Sequence, residues 1–187
     1  MKNYQITEWC HHFIEEHVQV GDICIDATAG NGNDTQFLCE LVGDQGKVFA
    51  FDIQEAAVAA TKKRICEHGF SERAEVLCKS HVKMAEHVDK DSVSCIVFNF
   101  GYLPGGDHNL ATKKDTSIEA IHEGLKLLKK GGLMSLCIYS GGDSGFEERD
   151  ALLEELKTLD RKKYLVILSC YYNRPNHPPI PAFIVKL

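Results

Sequence analysis

The chain has 187 residues, a length typical of a single domain. Hydrophobic residues make up 44% of it and charged residues 26%, a balance that supports a buried core and excludes a disordered tail or a small disulfide-stapled scaffold. Its 21 basic and 27 acidic residues give a net charge of −6, which excludes a uniformly basic protein that coats nucleic acid. No apolar run reaches the roughly 18 residues of a membrane span, and the N-terminus lacks the apolar segment of a signal peptide.

The cysteines indicate a reducing compartment and no structural metal. They stand far apart, at positions 10, 24, 39, 66, 78, 95, 137 and 170. Zinc ribbons and redox dithiols need close pairs such as C-x-x-C, so neither is expected. Adjacent positions of a helix point about 100° apart, so Cys10, His11 and His12 would not share a metal ion either. Most of the cysteines lie in apolar runs as small core residues, and we expect a cytoplasmic protein.

In chain order, short apolar runs alternate with longer amphipathic segments. A helix is predicted first, over about residues 4–18, before the first strand. Strands are predicted over 22–28, 47–53, 74–79, 93–100, 132–139, 164–172 and 181–187. Helices are predicted over 33–42, 55–69, 81–88, 115–132 and 144–159. The segment Lys129-Lys130-Gly131-Gly132 is typical of a helix end, with cations in the last turn and glycine beyond it.

This alternation predicts an α/β fold with helices on both faces of a mainly parallel sheet. The last two strands are joined only by residues 173–181, too short a segment for a crossover helix, so they should pair antiparallel. A seven-stranded, mainly parallel sheet with an antiparallel strand 7 is the Rossmann-like class I fold of S-adenosylmethionine (SAM) methyltransferases. We expect residues 1–187 to form one such domain.

A glycine-containing loop follows the first strand, where ligands bind in open α/β sheets. Gly30 and Gly32 let the backbone approach a ligand closely. A dinucleotide-binding loop would have a third glycine where this chain has Thr35, which argues against a nicotinamide oxidoreductase. The acidic loop instead suits SAM, a cation without phosphate. The expected cofactor-binding residues are Asp26, Thr28, Gly30, Asn31, Gly32, Asn33, Asp34 and Thr35, although Asp34 could equally cap the following helix.

Two later strand ends complete the predicted cofactor site. Asp52 ends the second strand, 20 positions after Gly32, where an acidic residue binds the ribose hydroxyls of an adenosine ligand. Gln54 is expected to help hold the ribose or adenine, and Ser80 and His81 to reach the adenine edge. Asp52 and Ser80 also suit helix N-caps, which is the competing interpretation of each.

The fourth strand ends in a segment that combines an asparagine with an aromatic ring. SAM enzymes that methylate amino groups often carry N-P-P-Y here, because the Asn carbonyl accepts hydrogen bonds from the target amine and the ring stacks on its base. Asn99 and Tyr102 have the same spacing, and Asn99 is also expected to touch the cofactor. Asp107 and His108 are the candidate proton acceptors. The surrounding residues, expected to bind substrate unless they form only a turn, are Phe100, Gly101, Leu103, Pro104, Gly105 and Gly106.

Basic residues near this edge could contact RNA phosphates. Lys113 and Lys114 follow the strand-four segment, and Arg174 lies in the proline-rich connection between the last two strands. A single-stranded loop needs only stacking and a few phosphate contacts. The proline-rich connection could instead be a rigid turn or part of a dimer contact.

Four segments together, DATAGNGNDT, FDIQ, NFGYLPGGDH and NHPPIPAFIVKL, resemble the bacterial family labelled putative rRNA methylases. Members of that family are identified as tRNA methyltransferases that complete 5-methylaminomethyl-2-thiouridine at the wobble position. The resemblance implies SAM-dependent N-methylation of 5-aminomethyl-2-thiouridine in the tRNA anticodon loop and a possible homodimer. It also implies that Asn31, Asn33, Asp52 and the strand-four segment line the site. The alternatives are a methyltransferase acting on rRNA or a small amine, and a non-catalytic SAM-binding module.

Overall fold

Seven strands and six helices make up the part of the chain that the computed structural model describes, residues 4–100, 114–140 and 145–187. In chain order the elements are α1 (Ile6–His17), β1 (Ile23–Asp26), α2 (Asn33–Val42), β2 (Lys47–Asp52), α3 (Glu55–Glu67), β3 (Ala74–Cys78), a 3₁₀ helix (His81–Glu86), β4 (Val93–Phe100), α4 (Lys114–Leu127), β5 (Leu128–Ile138), α5 (Gly145–Thr158), β6 (Tyr164–Leu168) and β7 (Ile180–Lys186).

The strands form one sheet in the order β3-β2-β1-β4-β5-β7-β6. All pairs are parallel except those of β7, which is antiparallel to both β5 and β6. This arrangement confirms the predicted fold class, including the antiparallel seventh strand. The chain builds β1 to β3 outward in one direction and then returns to β4 on the other side of β1, so the sheet reverses its winding between β1 and β4. Such a switch point opens a crevice at the carboxyl ends of the strands.

Helices cover both faces of the sheet, as predicted. On one face α1, α2 and α3 bury Ile14, Leu38 and Ile65 against the sheet. On the other face the 3₁₀ helix, α4 and α5 bury a second cluster that includes Met84 and Ile121. The strand β4 is therefore enclosed on both sides, which explains its mainly apolar sequence VSCIVFNF.

The prediction that a helix continues to residue 132 is wrong. The helix α4 ends at Leu127 and β5 begins at Leu128, so Lys129 and Lys130 belong to a strand. The ammonium of Lys129 lies 2.6 Å from an Asp22 carboxylate oxygen instead of capping the helix. Lys186 of β7 reaches this end of α4 instead, and its Nζ donates to the carbonyls of Leu125 and Leu128 at 3.2 and 2.7 Å. A distant residue therefore serves the carbonyls that a helix end leaves without partners.

The sixth strand is shorter than predicted, ending at Leu168 rather than at residue 172. The chain leaves the sheet there to hold the N-terminal helix. The indole of Trp9 donates to the Ser169 hydroxyl at 2.8 Å, and the Tyr171 hydroxyl donates to the Tyr4 carbonyl at 2.9 Å. The residues after Leu168 thus contact α1 and the residues before it, and they do not extend β6. None of the helices in the described ranges is both long and apolar enough to cross a bilayer.

Replacing Lys186 tests its role at the end of α4. We expect Lys186→Met to lower the free energy of unfolding by about 1–3 kcal/mol, because the carbonyls of Leu125 in α4 and Leu128 in β5 lose a charged donor. Urea titration followed by circular dichroism measures this change. Lys63→Met is the control, since Lys63 is 76% exposed and pairs only loosely with Glu67 at 3.9 Å; it should shift stability by less than about 0.5 kcal/mol. Equal effects of the two substitutions would contradict the assignment.

Candidate functional site

The loop between β1 and α2 crosses the carboxyl ends of the two neighbouring strands. The Ala27 N–H donates to the Val97 carbonyl of β4 and the Ala29 N–H to the Phe51 carbonyl of β2, both at 2.9 Å. These bonds tie the loop to both sides of the switch point. They bring Asp26, Asp52 and Asn99, which lie at or near the ends of three different strands, to one edge of the sheet.

The helix α3 holds the glycine part of this loop. The Thr61 hydroxyl donates to the Gly30 carbonyl at 3.1 Å and the Arg64 Nε to the Asn31 carbonyl at 2.7 Å. Gly32 has φ +76°, and a Cβ there would lie 3.0 Å from the Thr61 Cα. Glycine is therefore required at position 32 by its conformation and by the approach of α3. The side chains of Asn31 and Asn33 are exposed on this loop.

Asp52 connects two loops through backbone amides. One carboxylate oxygen accepts from the Gly30 N–H at 3.0 Å and the other from the Gln54 N–H at 2.9 Å. Gln54 is the N-cap residue of α3, so Asp52 does not cap that helix. The carboxylate is partly exposed, which leaves it accessible to a ligand while the two amides fix its orientation.

Asp26 is fully buried beneath the loop. It accepts a hydrogen bond from the Thr35 hydroxyl at 2.6 Å and another from the Thr28 N–H at 3.2 Å. Burial, with the negative charges of Asp34 and Asp52, raises the pKa of Asp26 to about 7, although the hydrogen bonds from Thr35 and Thr28 act to lower it. A carboxyl group in this state gains strongly from a nearby cation.

Asn99 and Asp34 are hydrogen-bonded to each other. The Asn99 side-chain Nδ2 donates to one Asp34 oxygen at 2.7 Å, and the Asn99 backbone N–H donates to the Thr28 hydroxyl at 2.7 Å. The N-cap position of α2 is Gly32, so the competing interpretation of Asp34 as a helix cap is not supported. Hydrogen bonds therefore join the end of β4 to the loop and helix start that are predicted to bind the cofactor.

Sequence reasoning missed one member of this cluster, His11 of α1. Its Nε2 lies 2.7 Å from the second Asp34 oxygen. From the sequence, His11 was a candidate only as a metal ligand beside Cys10 and His12, which helix geometry disfavoured. The signal was helical spacing, because the residues of α1 that face a small pocket beside Asn99 recur at intervals of three and four, at Thr7, Cys10, His11 and Ile14. Within the described ranges there is no group of three or more His, Cys, Asp or Glu side chains placed to hold a metal ion.

His81 and Ser80 lie at the start of the 3₁₀ helix. The His81 Nδ1 lies 3.3 Å from the Ala27 carbonyl, and the ring packs edge-on against Phe98. Burial lowers the pKa of His81, which favours the neutral ring. Ser80 is the N-cap residue, although within the described residues its hydroxyl makes no capping hydrogen bond.

The residues predicted to bind the substrate differ in their surroundings, and most of them lie outside the described ranges. Phe100 is fully buried and stacks on Phe98 at 5.0 Å, so its side chain is part of the core. Lys114 is exposed and lies 3.8 Å from Glu147, and Arg174 is exposed in the β6–β7 connection. Outside the described residues lie Gly101, Tyr102, Leu103, Pro104, Gly105, Gly106, Asp107, His108 and Lys113.

Comparison with known proteins identifies the family. The profile of the "Putative rRNA methylase" family matches residues 48–185. The chain belongs to this family. A chloroplastic tRNA (mnm(5)s(2)U34)-methyltransferase of Arabidopsis thaliana is 39% identical over 189 residues, which cover 95% of this chain and 67% of that protein.

Two solved structures share the whole fold. A protein described as a putative rRNA methylase of Clostridium thermocellum superposes with a TM-score of 0.96 at 41% identity, with both chains covered completely. A protein described as a putative methyltransferase of Streptococcus mutans, solved in complex with SAH, superposes with a TM-score of 0.90 at 32% identity over 99% of both chains. Family and fold together show that the chain described here is a SAM-dependent methyltransferase of class I.

The raised pKa of Asp26 predicts a pH-dependent stability of this methyltransferase. The ordinary pKa of an aspartate is 3.8, so the native state binds the Asp26 proton more tightly than the unfolded chain does. The contribution of Asp26 is therefore complete below about pH 4 and is lost as the pH rises toward 7. Relative to Asp26→Asn, we expect the free energy of unfolding to fall by on the order of 1 kcal/mol per pH unit between pH 5 and 7.

Urea titrations across this pH range measure the difference between the two proteins. Glu40→Gln serves as the control, because Glu40 is exposed on α2 and should give a curve parallel to the wild type. If the curve of Asp26→Asn were also parallel to that of the wild type, Asp26 would not titrate in this range.

Proposed function

We propose that this methyltransferase transfers a methyl group from SAM to the side-chain amine of 5-aminomethyl-2-thiouridine at the tRNA wobble position, giving 5-methylaminomethyl-2-thiouridine. The observation that carries the proposal is the position of Asn99, hydrogen-bonded to both Thr28 and Asp34 at the end of β4. The name of the Arabidopsis thaliana relative, which includes the methylated nucleoside at position 34, supports this substrate.

The residues at the edge of the sheet fit SAM. Their donor and acceptor set is dominated by three carboxylates, those of Asp26, Asp34 and Asp52. SAM carries a sulfonium and an ammonium and has no phosphate, so a negatively charged edge attracts it, whereas it would repel a dinucleotide. The orientation of Asp52 toward two loops suits the two hydroxyls of a ribose.

When bound, SAM supplies a methyl group that its sulfonium has already activated. The target nitrogen would attack this methyl carbon in line with the C–S bond, so that the N–C bond forms as the C–S bond breaks and the electron pair leaves with the sulfur of S-adenosylhomocysteine. The task left to the protein is orientation. In the proposal, the Asn99 carbonyl oxygen accepts a hydrogen from the amine, which directs the nitrogen lone pair at the methyl group. The nitrogen must also lose a proton, for which Asp107 and His108 remain the predicted acceptors.

Two of the proposed RNA contacts, Lys114 and Arg174, lie among the described residues, and both follow strands that end at this edge. Because β7 is antiparallel to its neighbours, the connection that carries Arg174 joins β6 and β7 at the carboxyl ends of the parallel strands. Lys114 is half exposed and its pairing with Glu147 is a solvent-exposed one, which a phosphate could replace at little cost. Tyr102 and Lys113 keep their predicted roles in stacking and phosphate binding. A homodimer and a cytoplasmic location also remain predictions, and the Arabidopsis thaliana relative is chloroplastic.

Two alternatives can be distinguished by experiment. The first is a SAM-dependent methyltransferase that acts on rRNA or a small amine, and the family name favours RNA as the substrate class. The second is a SAM-binding module without catalytic activity. A non-catalytic SAM-binding module would have no use for an amine-orienting Asn99 beside the methyl donor.

The test is methyl transfer from labelled SAM to tRNA isolated from cells that lack the wobble methylation, followed by nucleoside mass spectrometry. Conversion of 5-aminomethyl-2-thiouridine to a product with one more methyl group would support the proposal. Transfer to rRNA but not to this tRNA would overturn it in favour of the first alternative. Absence of transfer to any RNA or amine, with SAM bound, would favour the second.

Replacing Asn99 separates chemistry from cofactor binding. We expect Asn99→Ala to lower kcat about 100-fold or more, because the amine loses its acceptor and its orientation. The affinity for SAM, measured by calorimetry, should change by less than about 5-fold, since the loss of one neutral hydrogen bond is modest. Turnover near the wild-type rate would show that Asn99 does not orient the amine.

Replacing Asp52 has the opposite signature. Asp52→Asn should weaken SAM binding by about 10- to 100-fold, because charged hydrogen bonds contribute about 1.5–3 kcal/mol. At saturating SAM the value of kcat should stay close to that of the wild type. Glu55→Gln is the matched control, an exposed carboxylate three residues further on, and it should leave SAM affinity unchanged. Unchanged affinity in Asp52→Asn would contradict the ribose-binding role.

A further inference from the structure

We propose that His11 of α1 is a positioning residue for methyl transfer, acting through Asp34 to hold the Asn99 side-chain amide in one orientation. This inference rests on the proposed function in one respect, that Asn99 receives the target amine. The hydrogen-bonded chain on which it stands does not depend on the identity of the substrate.

The chain runs through both oxygens of one carboxylate. Asp34 Oδ1 lies 2.7 Å from His11 Nε2, and Asp34 Oδ2 accepts from Asn99 Nδ2 at 2.7 Å. The side chains of His11 and Asp34 are only 19% and 15% exposed, so water competes weakly for these bonds. A carboxylate held at both oxygens has little freedom to rotate.

His11 is itself held firmly. Its ring stacks on Phe37 of α2 with a centroid separation of 3.7 Å and an interplanar angle of 6°. The helix that carries it is fastened to the segment after β6 by the bond from Trp9 to Ser169, and Tyr171 holds Tyr4 just before the helix. The imidazole therefore projects from a fixed helix, against a fixed ring, onto Asp34.

The consequence concerns the direction of the Asn99 amide. Because the amide is planar, fixing Nδ2 on Asp34 also fixes the position of the carbonyl oxygen. An amide flipped end for end would present its NH₂ group to the target amine, and it would also place its oxygen against the Asp34 carboxylate. Asp34 disfavours the flipped state only while it stays in place, and His11 is the contact that keeps its other oxygen in place. Loss of His11 should thus reduce the fraction of enzyme with a competent Asn99.

Kinetics of three variants test this role. His11→Leu removes the donor and should lower kcat about 10-fold or more, while the KM for RNA and the affinity for SAM change by less than about 3-fold. His11→Gln keeps an N–H donor on a side chain of similar reach and should recover a large part of kcat. His12→Ala is the control, since His12 is the adjacent residue, half exposed and facing Glu15 at 3.5 Å. An unchanged kcat in His11→Leu, or no recovery in His11→Gln, would overturn the proposal.

A second measurement needs no substrate. The Asn99 side-chain amide signals can be assigned in ¹H–¹⁵N NMR spectra by their absence in Asn99→Asp. In His11→Leu they should shift and exchange with solvent faster, as expected if Asp34 loses its anchor, and in His12→Ala they should stay where they are in the wild type. If His11→Leu does not fold, His11→Asn replaces it, because asparagine keeps the polarity of the position but is too short to reach Asp34.

The two measurements separate the failure of each proposal. Asn99 signals that do not respond to the loss of His11 would overturn the positioning role whatever the substrate is. Signals that respond in an enzyme that methylates no amine would support the hydrogen-bonded chain and overturn the proposed function alone.

Discussion

The structure of the site depends on a buried carboxylate, that of Asp26. It lies at the end of β1 with no exposed surface, and its raised pKa reflects the cost of charge in that position. The Thr35 hydroxyl and the Thr28 N–H offset part of this cost; Thr28 lies in the loop that follows Asp26, and Thr35 lies in the first turn of α2. A bound cation would offset more of it. The loop is therefore predicted to favour a positively charged ligand, which would stabilise the ionised carboxylate.

The neighbouring elements are arranged around this loop. The helix α3 holds its carbonyls through Thr61 and Arg64, and Asp52 holds its Gly30 amide. On the other side the Thr28 hydroxyl accepts from the Asn99 backbone. The loop that is predicted to bind the cofactor and the end of β4 that is predicted to bind the substrate are therefore connected by direct hydrogen bonds. A displacement of the loop on one side should be transmitted to the amide that is proposed to orient the amine.

The fold was largely predictable because its signals are local. Continuous apolar runs mark strands that are covered on both faces, and β4 is the clearest case. The short connection between the last two strands was enough to predict the antiparallel β7. The errors came where distant residues intervene. Lys129 and Lys130 matched a helix end, yet they lie in β5, and Lys186 donates to the carbonyls at the end of α4. The segment after Leu168 leaves the sheet and contacts α1.

The sequence by itself determined the order of the elements, the acidic character of the loop after β1 and the placement of Asp52 and Asn99 at strand ends, because spacing and strand periodicity are properties of the chain. Only the tertiary structure decided what the acidic residues touch. Asp34 suited a helix cap equally well, and His11 matched no motif, because a contact between residues 23 positions apart depends on how α1 packs against α2. The helical spacing of α1 marks the face that carries His11, but packing across the core decides that this face meets Asp34.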